Sequence, residues 1–126
     1  MRDGKSALLD RSIDSTLAYQ GFGGSVDRDF IRNLNYVANS GRKPDLTFII
    51  DVNPEIGIKN ARKSKGRDTS RIDEKDIIYH KKVAEGFKDI AKNNPDRCVI
   101  IPYIDGIEKI QEQIRNKFSE RYLDRF

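Results

Sequence analysis

At 126 residues the sequence is long enough for one domain, and its 37% of hydrophobic residues can build a core, whereas the 35% that are charged are too balanced in sign for a disordered tail. The net charge of +4 favours an anionic partner, nucleotide or nucleic acid, without choosing between them. No apolar run reaches the roughly 18 residues of a membrane span, Met1–Lys5 lacks the apolar stretch of a secretory signal, and the single cysteine, Cys98, leaves no internal disulfide, so a cytoplasmic protein without a membrane partner is expected.

In chain order, Gly4-Lys5-Ser6 has the ending of a phosphate-binding loop, but such a loop follows a buried strand and opens a helix. Here three residues precede it and an apolar run follows, so it reads as a turn. Ser6–Asp10 is a short apolar run ending in a charge and predicts a buried strand. A short helix follows through Ser15–Tyr19, and Gly21-Phe22-Gly23-Gly24 breaks it. Asp27 predicts the cap of a second helix, with Phe30, Ile31, Leu34, Val37 and Ala38 on one face and Gly41 closing it. Leu46–Asp51, apolar on both faces, predicts a central parallel strand. Asn53-Pro54 opens a third helix. Lys63–Ser70 is polar and basic and reads as an exposed loop.

A long helix from about Asp73 to Asn93 carries an apolar stripe of Ile77, Ile78, Val83, Ala84, Phe87, Ile90 and Ala91. Cys98–Ile101 predicts a third strand, and a last helix bears Ile107, Ile110, Ile114 and Phe118. Strands alternating with helices imply a single α/β domain, 1–126, with a parallel sheet flanked by helices. Ligands bind beyond the carboxyl ends of such strands, which draws attention to Asp10-Arg11, Asp51-Val52-Asn53 and Pro102-Tyr103. Three strands are few for this many helices, so further strands are expected upstream.

The segment Asp10–Gly21 concentrates candidate chemistry. A carboxylate at a strand end can hold a metal-bound water, and a guanidinium can grip a phosphate with two hydrogen bonds. Thr16, Tyr19 and Gln20 lie about a turn apart on the following helix, and the carboxamide of Gln20 both donates and accepts, the pattern that a thymine edge offers in reverse. A helix cap followed by a packing tyrosine is the plainer alternative. The run Arg62–Arg71 has three readings: a solvated surface loop, a nucleic-acid patch, or a phosphate-clamping lid. No aromatic residue interleaves its charges, which counts against single-strand binding. His80, the only histidine, reads as a packing residue and Cys98 as an inert core thiol, and no Cys/His cluster has metal-ligand spacing.

Asp10-Arg11, a spacer, then Asp14-Ser15-Thr16-Leu17-Ala18-Tyr19-Gln20-Gly21 resembles the signature of bacterial thymidylate kinases. Pro44–Val52 is similar to that family's next strand, Arg67–Asp73 to its lid, and Tyr79–Phe87 to the helix after the lid. The resemblance implies a P-loop-kinase-like fold, incomplete at the amino terminus because the glycine-rich phosphate loop lies upstream in the family. It implies that Arg11 contacts the phosphate of dTMP and that Asp10 sits near the magnesium carried with ATP, through water rather than as a direct ligand. Ser15, Thr16, Tyr19 and Gln20 would line the thymidine pocket. Arg67 and Arg71 would reach from a lid at about 62–72 toward the ATP phosphates. Ser12 and Ser70 depart from the family pattern, where an aromatic or histidine and an aspartate stand. The implied activity is phosphorylation of dTMP to dTDP by a cytoplasmic homodimer with no nucleic-acid partner. The alternatives are an inactive kinase fragment or dimerising module, a basic nucleic-acid binder, and a kinase for another nucleoside monophosphate.

Overall fold

The computed structural model describes residues 4–68 and 72–123. Its elements are α1 (Ile13–Thr16), a π-helical segment (Leu17–Gly23), α2 (Arg28–Ala38), β1 (Thr47–Asp51), α3 (Pro54–Ser64), α4 (Glu74–Asn93), β2 (Cys98–Pro102) and α5 (Ile107–Tyr122). The two strands pair in parallel, Thr47 opposite Cys98 through Asp51 opposite Pro102, and α3 and α4 form the crossover between them. This is the expected α/β architecture of a parallel sheet flanked by helices.

Three helix starts follow from their caps. The Asp27 carboxylate accepts from the Phe30 amide at 2.7 Å, Asn53 Oδ1 from the Glu55 amide at 2.9 Å, and Asp73 Oδ1 from the Lys75 amide at 3.0 Å. Pro54 occupies the first turn of α3, where its missing N–H is not needed.

Several expectations are corrected. Ser6–Asp10 forms no strand: it is irregular and exposed, with Leu8 100% accessible, because no neighbouring strand among the described residues offers it backbone partners. The described sheet therefore has two strands rather than three. The glycine-rich stretch does not break the early helix; π-helical turns run through Gly23. Only Ile31 of the α2 face is buried, while Phe30, Leu34 and Val37 are exposed. On α4 the buried stripe is Val83, Gly86, Ile90 and Ala91, and Ile78 lies outside it. None of the apolar residues of α5 is fully buried. Lys63 and Ser64 belong to α3, so the polar run begins as helix rather than loop.

The core joins Leu17, Ala18, Ile31, Ile49, Val83, Ile90, Ala91 and Cys98, with Tyr19, Phe22, Tyr79 and Phe87 packed at its edge. Its closest seam is the crossing of α4 over the π-helical segment. A Cβ at Gly86 would stand 2.6 Å from Phe22, and one at Gly23 would stand 2.6 Å from Val83. Burial raises the thiol of Cys98 above its ordinary value, as expected of an inert core cysteine. At the amino ends of both strands, buried Asp14 accepts two 2.8 Å hydrogen bonds from the Arg97 guanidinium and one of 3.3 Å from the Thr47 hydroxyl. The bond to Asp14 holds the Arg97 guanidinium above its ordinary value.

Candidate functional site

A cavity of about 490 Å³ opens beside the carboxyl end of β1, where Asp51 and Val52 leave the sheet. That is the place where parallel α/β sheets receive ligands. Ile49, Val83 and Phe87 give it an apolar wall, and Asp51, Arg62, Lys65, Arg67 and His80 give it polar groups. Arg62 is engaged: its Nη2 donates to Asp76 Oδ2 at 3.2 Å.

Arg67 reaches this cavity because of how α3 ends. Lys65 caps the helix, Gly66 follows at φ +66°, and the chain turns back on itself. The Gly66 amide donates to the Lys63 carbonyl at 3.1 Å and the Arg67 amide to the Arg62 carbonyl at 2.9 Å. These two bonds are the Schellman pair, which satisfies carbonyls that the helix leaves open. Gly66 is thus a fixed helix terminator, and the cationic residue after it is held at the cavity by backbone geometry.

Tyr19 enters the same cavity from the π-helical segment. Its ring meets Phe87 edge-on at 6.1 Å and His80 edge-on at 6.5 Å, with Tyr79 tilted at 6.4 Å. The Tyr79 hydroxyl donates to the Tyr19 carbonyl at 3.1 Å, so ring and backbone are both held by α4. On the remaining side stands Arg11, its guanidinium 4.7 Å from the ring centroid. Such a contact at an exposed site contributes about 0.5–1 kcal/mol. Arg11 makes it from a left-handed backbone, φ +69°. A residue with a Cβ costs roughly 1–2 kcal/mol there, and strain of this kind gathers at functional sites.

The structure therefore places Tyr19 and Arg67 on one cavity and Arg11 against the Tyr19 ring. It does not gather the rest. Asp10 is exposed beside Arg11, Thr16 and Gln20 are exposed, and Ser15 is half-buried. Arg11, Ser15, Thr16 and Gln20 line neither this cavity nor the second groove, which is bounded by Phe22, Arg28, Lys81 and Lys82. Arg71 lies outside the described residues. His80, expected to pack, does contact two aromatic rings but also faces the cavity. Asp76 and Lys88 line it as well and were not singled out in the sequence; as two of the many charges on the polar side of α4 they carry no local signal. Among the described residues no group of three or more His, Cys, Asp or Glu could hold a metal ion, and no helix is long and apolar enough to cross a membrane.

The family model for thymidylate kinase matches residues 1–114. The thymidylate kinase of Trichodesmium erythraeum is 44% identical over 124 residues, covering 96% of this chain and 52% of its own length. That of Lactobacillus acidophilus is 36% identical over 121 residues, covering 96% and 56%. The crystal structure of thymidylate kinase from Ehrlichia chaffeensis superposes with a TM-score of 0.61 at 34% identity, covering 86% of this chain and 48% of that one. The chain thus spans about half the length of the relatives it matches. With nearly its whole length matched by the family model, and with relatives and a solved fold agreeing, the chain belongs to the thymidylate kinase family.

Proposed function

We propose that this chain serves the phosphorylation of dTMP to dTDP by ATP, contributing the monophosphate site and part of the lid. The observation that carries the reading is Arg11, held in a strained left-handed conformation with its guanidinium against the ring of Tyr19, a residue that lines the cavity. A planar cation in that place can accept a phosphate through two hydrogen bonds while the aromatic ring keeps it oriented. Arg67, which follows the α3 terminator and lines the cavity, would supply positive charge toward the ATP phosphates, a role the family resemblance gives Arg71 as well. In phosphoryl transfer the protein mainly positions two anions and offsets the charge that spreads over the moving group, a task that arginines suit.

Ser15, Thr16, Tyr19 and Gln20 would bind the thymidine portion, with the Gln20 carboxamide matching the donor and acceptor of the base edge. Magnesium fits as a companion of ATP. It prefers phosphate oxygens and waters, and Asp10 would hold one of those waters. When bound, it supplies positive charge against the ATP phosphates. A cytoplasmic homodimer without a nucleic-acid partner belongs to the same reading.

ADP release in the presence of ATP, magnesium and dTMP, together with calorimetric titration of dTMP, is the test. Binding of dTMP in preference to other nucleoside monophosphates is expected. Arg11→Ala should lower kcat/KM by on the order of 10². No dTMP binding, or a loss under threefold on removing Arg11, refutes the proposal.

A further inference from the structure

We infer that the Asp14–Arg97 ion pair is a positioning element that sets the roll of the segment Ile13–Gly23, and with it the direction in which the candidate ligand-binding side chains point. The ligand part of this inference rests on the dTMP reading above. Asp14, Leu17, Ala18 and Gly21 recur at i, i+3, i+4 and i+7, and all four are buried. Ser15, Thr16, Tyr19 and Gln20 occupy the opposite side, half-buried or exposed. Packing along the inward stripe is close but non-directional at two of its four positions, since Gly21 has no side chain and Ala18 only a methyl group.

Asp14 is different in kind. It is the one charged residue among the described residues that is fully buried, at 5% accessibility. Its two oxygens accept from the two terminal nitrogens of Arg97, each at 2.8 Å, and a two-point planar contact fixes orientation as well as distance. The Thr47 hydroxyl adds a third bond at 3.3 Å. Arg97 directly precedes β2 and Thr47 opens β1, so one carboxylate ties the segment to both strands. A roll of one helical position, about 100°, would break all three bonds and turn the outward residues.

The pair is poorly arranged for stability alone. Arg97 Nε is buried without a hydrogen-bond partner among the described residues. Buried ion pairs are often replaceable by apolar side chains at no loss of stability, and what they keep is geometry.

The double substitution Asp14→Leu/Arg97→Met, made in the full chain, separates the two roles. A merely structural pair would leave Tyr19 and Gln20 where they are once the apolar replacement has folded. Positioning predicts that the double variant melts near wild type, that the amide resonances of Tyr19 and Gln20 move, and that the cross-relaxation between the Tyr19 and Phe87 rings weakens. It also predicts a dTMP dissociation constant raised on the order of tenfold or more, as misplaced binding groups do. Unchanged Tyr19 and Gln20 resonances in the folded variant overturn the inference. If wild type binds no dTMP, the functional reading fails, while the resonances still decide the positioning role. Should the double variant not fold, Arg97→Lys keeps the charge but offers one contact in place of two. The same displacement is then expected, and its absence is again decisive.

Discussion

Adding one methyl group at Gly86 tests how tightly α4 packs on the π-helical segment. An alanine Cβ there would stand 2.6 Å from both Cβ and Cγ of Phe22, short of the 3.4 Å at which ordinary contact begins. These atoms lie next to the Phe22 backbone, so no rotation of the ring removes them and the two elements must part. Overpacking of this kind costs about 1–3 kcal/mol. Against it, alanine is better than glycine in a helix interior by about 0.8–1 kcal/mol. The net expectation is a loss of about 1 kcal/mol, or roughly 4 °C in Tm for a chain of 126 residues. Gly57→Ala is the control. It lies inside α3, and its Cβ would meet only Val52 Cγ1, at 3.4 Å, so the propensity gain of about 0.5–1 kcal/mol should stand alone. Urea titrations followed by far-ultraviolet circular dichroism give both values. The difference between the two variants isolates the packing penalty, because each contains the same propensity gain. Equal stabilisation by both substitutions would show that the seam has slack and that the close crossing has been misread.

Gly66→Ala should destabilise by about 1 kcal/mol, through backbone strain alone, since nothing lies within 4 Å of the added Cβ; urea titration measures it. Arg11→Gly should raise stability by about 1 kcal/mol by relieving the φ of +69°, yet weaken dTMP binding, and thermal melts beside calorimetry would show the opposed signs. Cys98 should react slowly with a thiol reagent at pH 8 in the native chain and quickly in urea, because burial raises its folded value. The unfolded chain then loses that proton first, so the thiol lowers folding stability as pH rises through its unfolded value of about 8.5. Cys98→Ala should flatten that alkaline decline in urea midpoints measured from pH 7 to 10.

The parts of the fold that were legible in the sequence are those whose causes are local. Asp27, Asn53-Pro54 and Asp73 announce helix starts because a cap acts within three residues. Thr47–Asp51 and Cys98–Pro102 are apolar on both faces, and they find each other. Ser6–Asp10 is also a short apolar run, but it lacks their β-branched residues and has no neighbouring strand among the described residues, and it forms no strand. Of the candidate site, Arg11, Tyr19 and Arg67 were readable as motif residues; Tyr19 and Arg67 line one cavity, and Arg11 stands against the Tyr19 ring. The Asp14–Arg97 contact was not readable. It spans 83 positions, and no periodicity connects its two ends. Nor does the stretch Leu17–Gly23 contain anything that separates π from α turns.

The wide turns of Leu17–Gly23 have a bearing on which sequence changes the chain can absorb. A π turn holds about one residue more than an α turn, and it arises when one residue is inserted into an α-helix. Deleting any single residue here would let the backbone relax into regular α-helix with all its hydrogen bonds intact. Because the wide turn holds its extra residue within one revolution, everything after the deletion would keep its direction about the axis. The stretch should therefore absorb the loss of one residue more readily than a side chain added at Gly23, where a Cβ would stand 2.6 Å from Val83.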